Sequence, residues 1–101
     1  MSETVSRLRK TVVERVLHGA GKTTGSERRA AFDNRDVPPA ARELIAKVAR
    51  NAWKVSDEDV AAVKAAGLSD DQIYELVVCA AVGQSTRQLE SALAALDEVT
   101  P

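Results

Sequence analysis

A chain of 101 residues, 45% hydrophobic and 29% charged with one Phe, one Tyr and one Trp, suits a single compact domain in which helix is the default expectation. A net charge of −1 favours neither a polyanionic nor a polycationic partner, and a single cysteine excludes an intrachain disulfide. No stretch approaches the roughly 20 apolar residues of a bilayer span, and the N-terminus has no apolar leader-like run. With a lone thiol suited to a reducing compartment, a cytoplasmic chain with no membrane partner is expected.

Charge is divided between the halves. Residues 1–50 carry eleven Lys/Arg against six Asp/Glu, and residues 51–101 carry three against nine. The simplest consequence is that the basic half packs on the acidic half, within the chain or between copies.

In chain order, residues 3–18 read as an amphipathic helix, with Val5, Leu8, Val12 and Val16 at helical spacing and Val13 and Leu17 widening the stripe. His18-Gly19-Ala20-Gly21 ends it, with glycine expected to supply a left-handed turn. Residues 19–37 are expected to be the irregular, mobile part, with a short helical turn capped by Ser26 and running through Phe32. Asp33-Asn34-Arg35-Asp36 breaks that turn.

Pro39 suits a first helical position, where a missing N–H costs nothing, and a helix is predicted from there to about Lys54. Its apolar face is Leu44, Ile45, Val48, Ala49, Ala52 and Trp53. Ser56 and Asp59 form an acidic variant of a capping box for a helix over 57–66, with Val60 and Val63 inward and Gly67 after its end. Ser69 and Gln72 form a second capping box, with Leu68 placed as a hydrophobic staple on Ile73. One long helix then runs to about Asp97. Ile73, Leu76, Val77, Ala80 and Ala81 make its stripe, continued by Leu89, Leu93 and Leu96. Gly83 lets another helix approach, either within the protomer or across a subunit interface.

Gly19-Ala20-Gly21-Lys22-Thr23 imitates the end of a phosphate-binding loop. The leading glycine position of that pattern holds Val16, and helical periodicity stands where a strand is required. Residues 57–76 imitate a helix-turn-helix, yet Asp70, Asp71 and Glu75 in the second helix would repel phosphates, so nucleic acid is not expected as a partner. Cys79 stands among Val77, Val78, Ala80 and Ala81 as a buried small hydrophobe would, and Val82 occupies the place of a second redox thiol. His18 at a helix end suits a dipole partner better than a base for Cys79. One His and one Cys do not make a transition-metal set, and no cofactor or metal is expected. Polar residues interrupting the long helix make Cys79, Gly83, Gln84 and Arg87 the candidate functional surface.

The run from Trp53 through Ser56-Asp57-Glu58-Asp59-Val60 and Ala65-Ala66-Gly67-Leu68-Ser69 to Ile73 and Leu76 resembles a segment of the alkylhydroperoxidase D-like (carboxymuconolactone decarboxylase-like) superfamily. The resemblance extends over roughly residues 40–96, with Arg87 and Leu89 in a helix similar to that family's closing helix. Ser56 stands where the family has threonine, a conservative change at an N-cap. The resemblance implies an all-helical protein forming homo-oligomers. Active members reduce peroxides through a Cys-x-x-Cys pair with a nearby Glu and His. Residues 1–37 contain no cysteine, so no catalytic residue carries over.

The sequence therefore leads to an all-α bundle of about four to five helices, one domain, completed by oligomerisation. The expected function is a non-catalytic or degenerate alkylhydroperoxidase D-like module that binds or scaffolds. Two alternatives stand beside it: an oxidoreductase-type enzyme with an inter-subunit site using Cys79, and a weak nucleic-acid binder using the basic first half.

Overall fold

The computed structural model of the chain describes residues 3–99, apart from the side chain of Val5, so the expectation for Val5 lies outside the described residues. Five helices and one short turn account for nearly all of it: α1 (Glu3–His18), α2 (Gly25–Asp33), α3 (Pro39–Asn51), a 3-10 turn (Ala52–Lys54), α4 (Asp57–Ala65) and α5 (Asp70–Val99). No strand occurs among the described residues.

The caps explain the boundaries. Ser56 accepts the Asp59 N–H at 3.3 Å while Asp59 Oδ2 accepts the Ser56 N–H at 2.9 Å, closing the box that starts α4. Ser69 and Gln72 do the same for α5, at 3.2 and 2.8 Å. Gly67, with φ of +107°, takes the left-handed conformation after α4 that a side chain would strain. Pro39 opens α3 at its first turn.

α5 is the spine. At 30 residues it extends for about 45 Å, at about 1.5 Å per residue, in a molecule 53 Å long and 28 by 21 Å across. α2 packs on it most extensively, followed by α3 and then α1. The core gathers Leu17 of α1, Ala31 and Phe32 of α2, Val37, then Ala41, Leu44, Ile45 and Val48 of α3. Val63 of α4 and Ile73, Leu76, Cys79 and Ala80 of α5 complete it. Leu68 packs against the rim of this cluster.

Four expectations are corrected. Within residues 19–37 the short turn expected through Phe32 is a nine-residue helix, α2, which buries Arg28, Ala31 and Phe32, so the segment is not mainly irregular. Its N-cap is Thr24 and not Ser26, because Thr24 accepts the Glu27 N–H at 3.1 Å and Glu27 returns a bond to the Thr24 N–H at 2.8 Å. The left-handed residue at its end is Asn34, with φ of 51°. Gly19 ends α1 without a left-handed turn; its N–H still bonds the Arg15 carbonyl at 2.9 Å. α3 stops at Asn51, so Trp53 leaves the helical register and stands 79% exposed beside the Lys54 ammonium.

The two halves do meet through charge. Lys47 Nζ binds Asp59 Oδ1 at 2.8 Å, and Arg28 lies 4.0 Å from Glu75. The Lys47 bond holds the Asp59 carboxyl below the usual carboxylate range and raises Lys47 in turn.

Candidate functional site

Cys79, Gly83 and Arg87 recur on α5 every four residues, with Gln84 next to Gly83 and three before Arg87, which places them along one side of the helix. α1 and the end of α2 receive them. Cys79 is fully buried in the core, and its thiol donates to the Val16 carbonyl of α1 at 3.2 Å. Burial pushes that thiol above its ordinary value; Arg28 pulls it down and Glu75 pushes it up. A recess of about 120 Å³, lined by Val16, Ala20, Arg28, Tyr74 and Glu75, reaches the same residue. Among the described residues no base is bonded to the sulfur, and His18 is exposed at the end of α1. The thiol has a hydrogen-bond acceptor and no activating partner.

Gly83 resolves as packing within the protomer. A Cβ on it would collide with the backbone carbonyl of Phe32, so glycine is what permits α5 to touch the end of α2. One turn later, Arg87 Nη1 donates to that carbonyl at 2.6 Å, and Arg87 Nη2 donates to Gln84 Oε1 at 3.1 Å. The last carbonyls of a helix have no intrahelical donor, and a cation is favoured beside them. Arg87 is such a cation for α2, and Gln84 holds its guanidinium. The polar interruption in α5 is therefore the cap of a neighbouring helix.

A second polar cluster lies one turn before Cys79, toward the start of α5. Glu75 reaches into the Gly19–Thr24 loop, where its carboxylate accepts the Lys22 N–H at 2.8 and 2.9 Å and the Thr23 N–H at 2.9 Å. The Thr23 hydroxyl donates to Glu75 Oε1 at 2.7 Å and accepts from Arg28 Nε at 2.9 Å. Arg28, buried, also donates to the carbonyls of Thr23 and Gly19. These bonds, led by the Lys22 N–H, hold the Glu75 carboxyl below its usual range. The phosphate-loop imitation thus has a physical basis: successive N–H groups make an anion nest, and the anion is the chain's own carboxylate. A Cβ on Gly21 would come within 2.5 Å of Glu75 Oε1. Sequence reasoning missed this cluster, although Gly21-Lys22-Thr23 signalled an anion grip; what could not be seen is which carboxylate fills it.

The third feature is apolar. A groove of about 340 Å³ runs between α1 and α5, lined by Arg9, Val12, Val13, Ala81, Val82, Ser85, Thr86 and Leu89. The same face continues to Leu8, 62% exposed, with Val12 at 51%. Arg9 Nη1 is buried there with no hydrogen-bond partner among the described residues. Among the described residues no group of three or more His, Cys, Asp or Glu side chains is arranged to hold a metal, and no helix is long and apolar enough to cross a membrane. No family model, curated protein or solved structure matches this chain.

Proposed function

We propose that the chain is a non-catalytic helical protein of the alkylhydroperoxidase D-like kind, working as an oligomeric binding or scaffold module. The observation that carries the reading is a division of labour. Three side chains at the candidate surface and beside it are committed to architecture: Cys79 to the Val16 carbonyl, Arg87 to the Phe32 carbonyl, and Glu75 to the Lys22-Thr23 nest. The apolar groove between α1 and α5 is left open. An open apolar face rimmed by polar residues is a place for a partner, because leaving it in water costs free energy. The likeness of residues 40–96 to that superfamily supports an all-helical, associating protein, and the single cysteine supports the absence of a thiol-pair cycle.

Hydroperoxide consumption by the purified chain tests the reading, with Cys79→Ser as the control. The expected result is no turnover above the buffer background in either protein. Robust consumption that disappears in Cys79→Ser overturns it.

A further inference from the structure

We infer that the α1/α5 groove is where a second copy of this chain docks, about a two-fold axis running along the helices. The inference rests on the association reading above and names its partner.

Phe32 meets α5 at Gly83 and Arg87, and Val48 and Ala49 of α3 border a recess beside Ala81 and Gln84. α5 nevertheless runs on to Val99. Beyond this level its companion is the N-terminal part of α1, which faces it antiparallel: Val16 opposite Cys79, and Arg9 sharing the groove with Leu89. Two helices cannot enclose a core between them; a helical stripe has to be covered by another layer. A second copy presents the same two helices and completes a four-helix arrangement. Ala81 and Ser85 on the groove wall are small and exposed, which lets a facing helix come close.

Charge selects the axis. α1 carries Arg7, Arg9, Lys10 and Arg15 against Glu3 and Glu14. α5 after Ser85 carries Glu90, Asp97 and Glu98 against Arg87, whose charge already serves Phe32. Among the described residues no ion pair links α1 to α5. An axis along the helices sets each basic α1 over the partner's acidic α5 end; an axis across them would set α1 on α1. The first arrangement also brings the partner's acidic helix end toward the half-buried Arg9, whose Nη1 has no hydrogen-bond partner among the described residues.

Sedimentation velocity on the full chain from about 1 to about 200 μM tests this, bracketing the micromolar affinities of modest interfaces. A reversible monomer–dimer equilibrium is expected, weakened by salt. Ser85→Arg, on an exposed position, should raise the dimer Kd at least about tenfold, with far-UV circular dichroism unchanged. Leu8→Asp, on the other helix, should do the same. In the unmodified chain, Tm should rise with protein concentration. A monomer throughout the range overturns the inference, as does a dimer indifferent to both substitutions. A monomer throughout also removes the oligomeric part of the reading above, a dimer indifferent to both substitutions leaves that part standing, and the non-catalytic part falls only to peroxide turnover.

Discussion

The backbone carbonyl of Phe32 accepts a 2.6 Å hydrogen bond from Arg87, one helical turn beyond the glycine that lets α5 approach it. Gly83 and Arg87 therefore serve one contact, the docking of the α2 terminus on the spine. Gly83→Ala tests it against intuition. Alanine in a helix interior gains about 1 kcal/mol over glycine. Here its Cβ meets backbone that cannot rotate away, and overpacking of that kind costs about 1–3 kcal/mol, more where backbone must shift. Net destabilisation is expected, with a fall in Tm of about 5 °C or more, read by thermal melts.

Arg87→Met keeps the aliphatic stem and removes the donor. The Phe32 carbonyl loses its charged cap, at a cost of about 1–2 kcal/mol. Urea melts measure the loss. Arg87→Lys should recover part of it, because one cation remains but the bond to Gln84 loses its planar geometry.

Glu75 makes stability depend on pH in a defined direction. Its ordinary value is 4.5, and the nest holds it lower in the folded chain. Above 4.5 the carboxylate is charged in both states and its contribution is fully present. As pH falls below that value the unfolded chain takes up the proton first, and the contribution fades until the folded carboxyl titrates as well. Glu75→Gln should lower stability at neutral pH and make the acid decline shallower. Denaturant melts between about pH 3 and about pH 7 read both effects.

Cys79 should resist alkylation in the native protein, since it is fully buried, its pKa is raised by burial and its thiol is engaged by Val16. Labelling with iodoacetamide at pH 8 should run at least about a hundredfold slower than in denaturant, because it waits for local opening. Rapid native labelling would show the thiol accessible.

Much of this fold was legible because helix ends are local chemistry. Ser56 with Asp59, Ser69 with Gln72, and Gly67 announce their own boundaries, and the structure places each of them there. α2 was foreseen only as a short turn capped by Ser26, because what makes it a full helix is the Thr24–Glu27 box and the packing of Phe32 on Gly83, 51 residues away in sequence. Trp53 was misplaced because apolar spacing continued across a helix that had already ended at Asn51. Of the candidate surface, the burial of Cys79 followed from its apolar neighbours. The role of Arg87 did not, since its partner is a backbone carbonyl and leaves no mark in the sequence. The Glu75 nest was half visible: the loop advertised an anion, and only folding revealed that the anion is internal.

Hydrogen-exchange mass spectrometry at two protein concentrations, about 1 and about 200 μM, tests most directly the claim that the molecule works through its open α1/α5 face. Peptides from residues 3–16 and 82–96 should gain protection at high concentration, with none around residues 52–57. Exchange independent of concentration, or protection gathered instead around Trp53 and Tyr74, would contradict it.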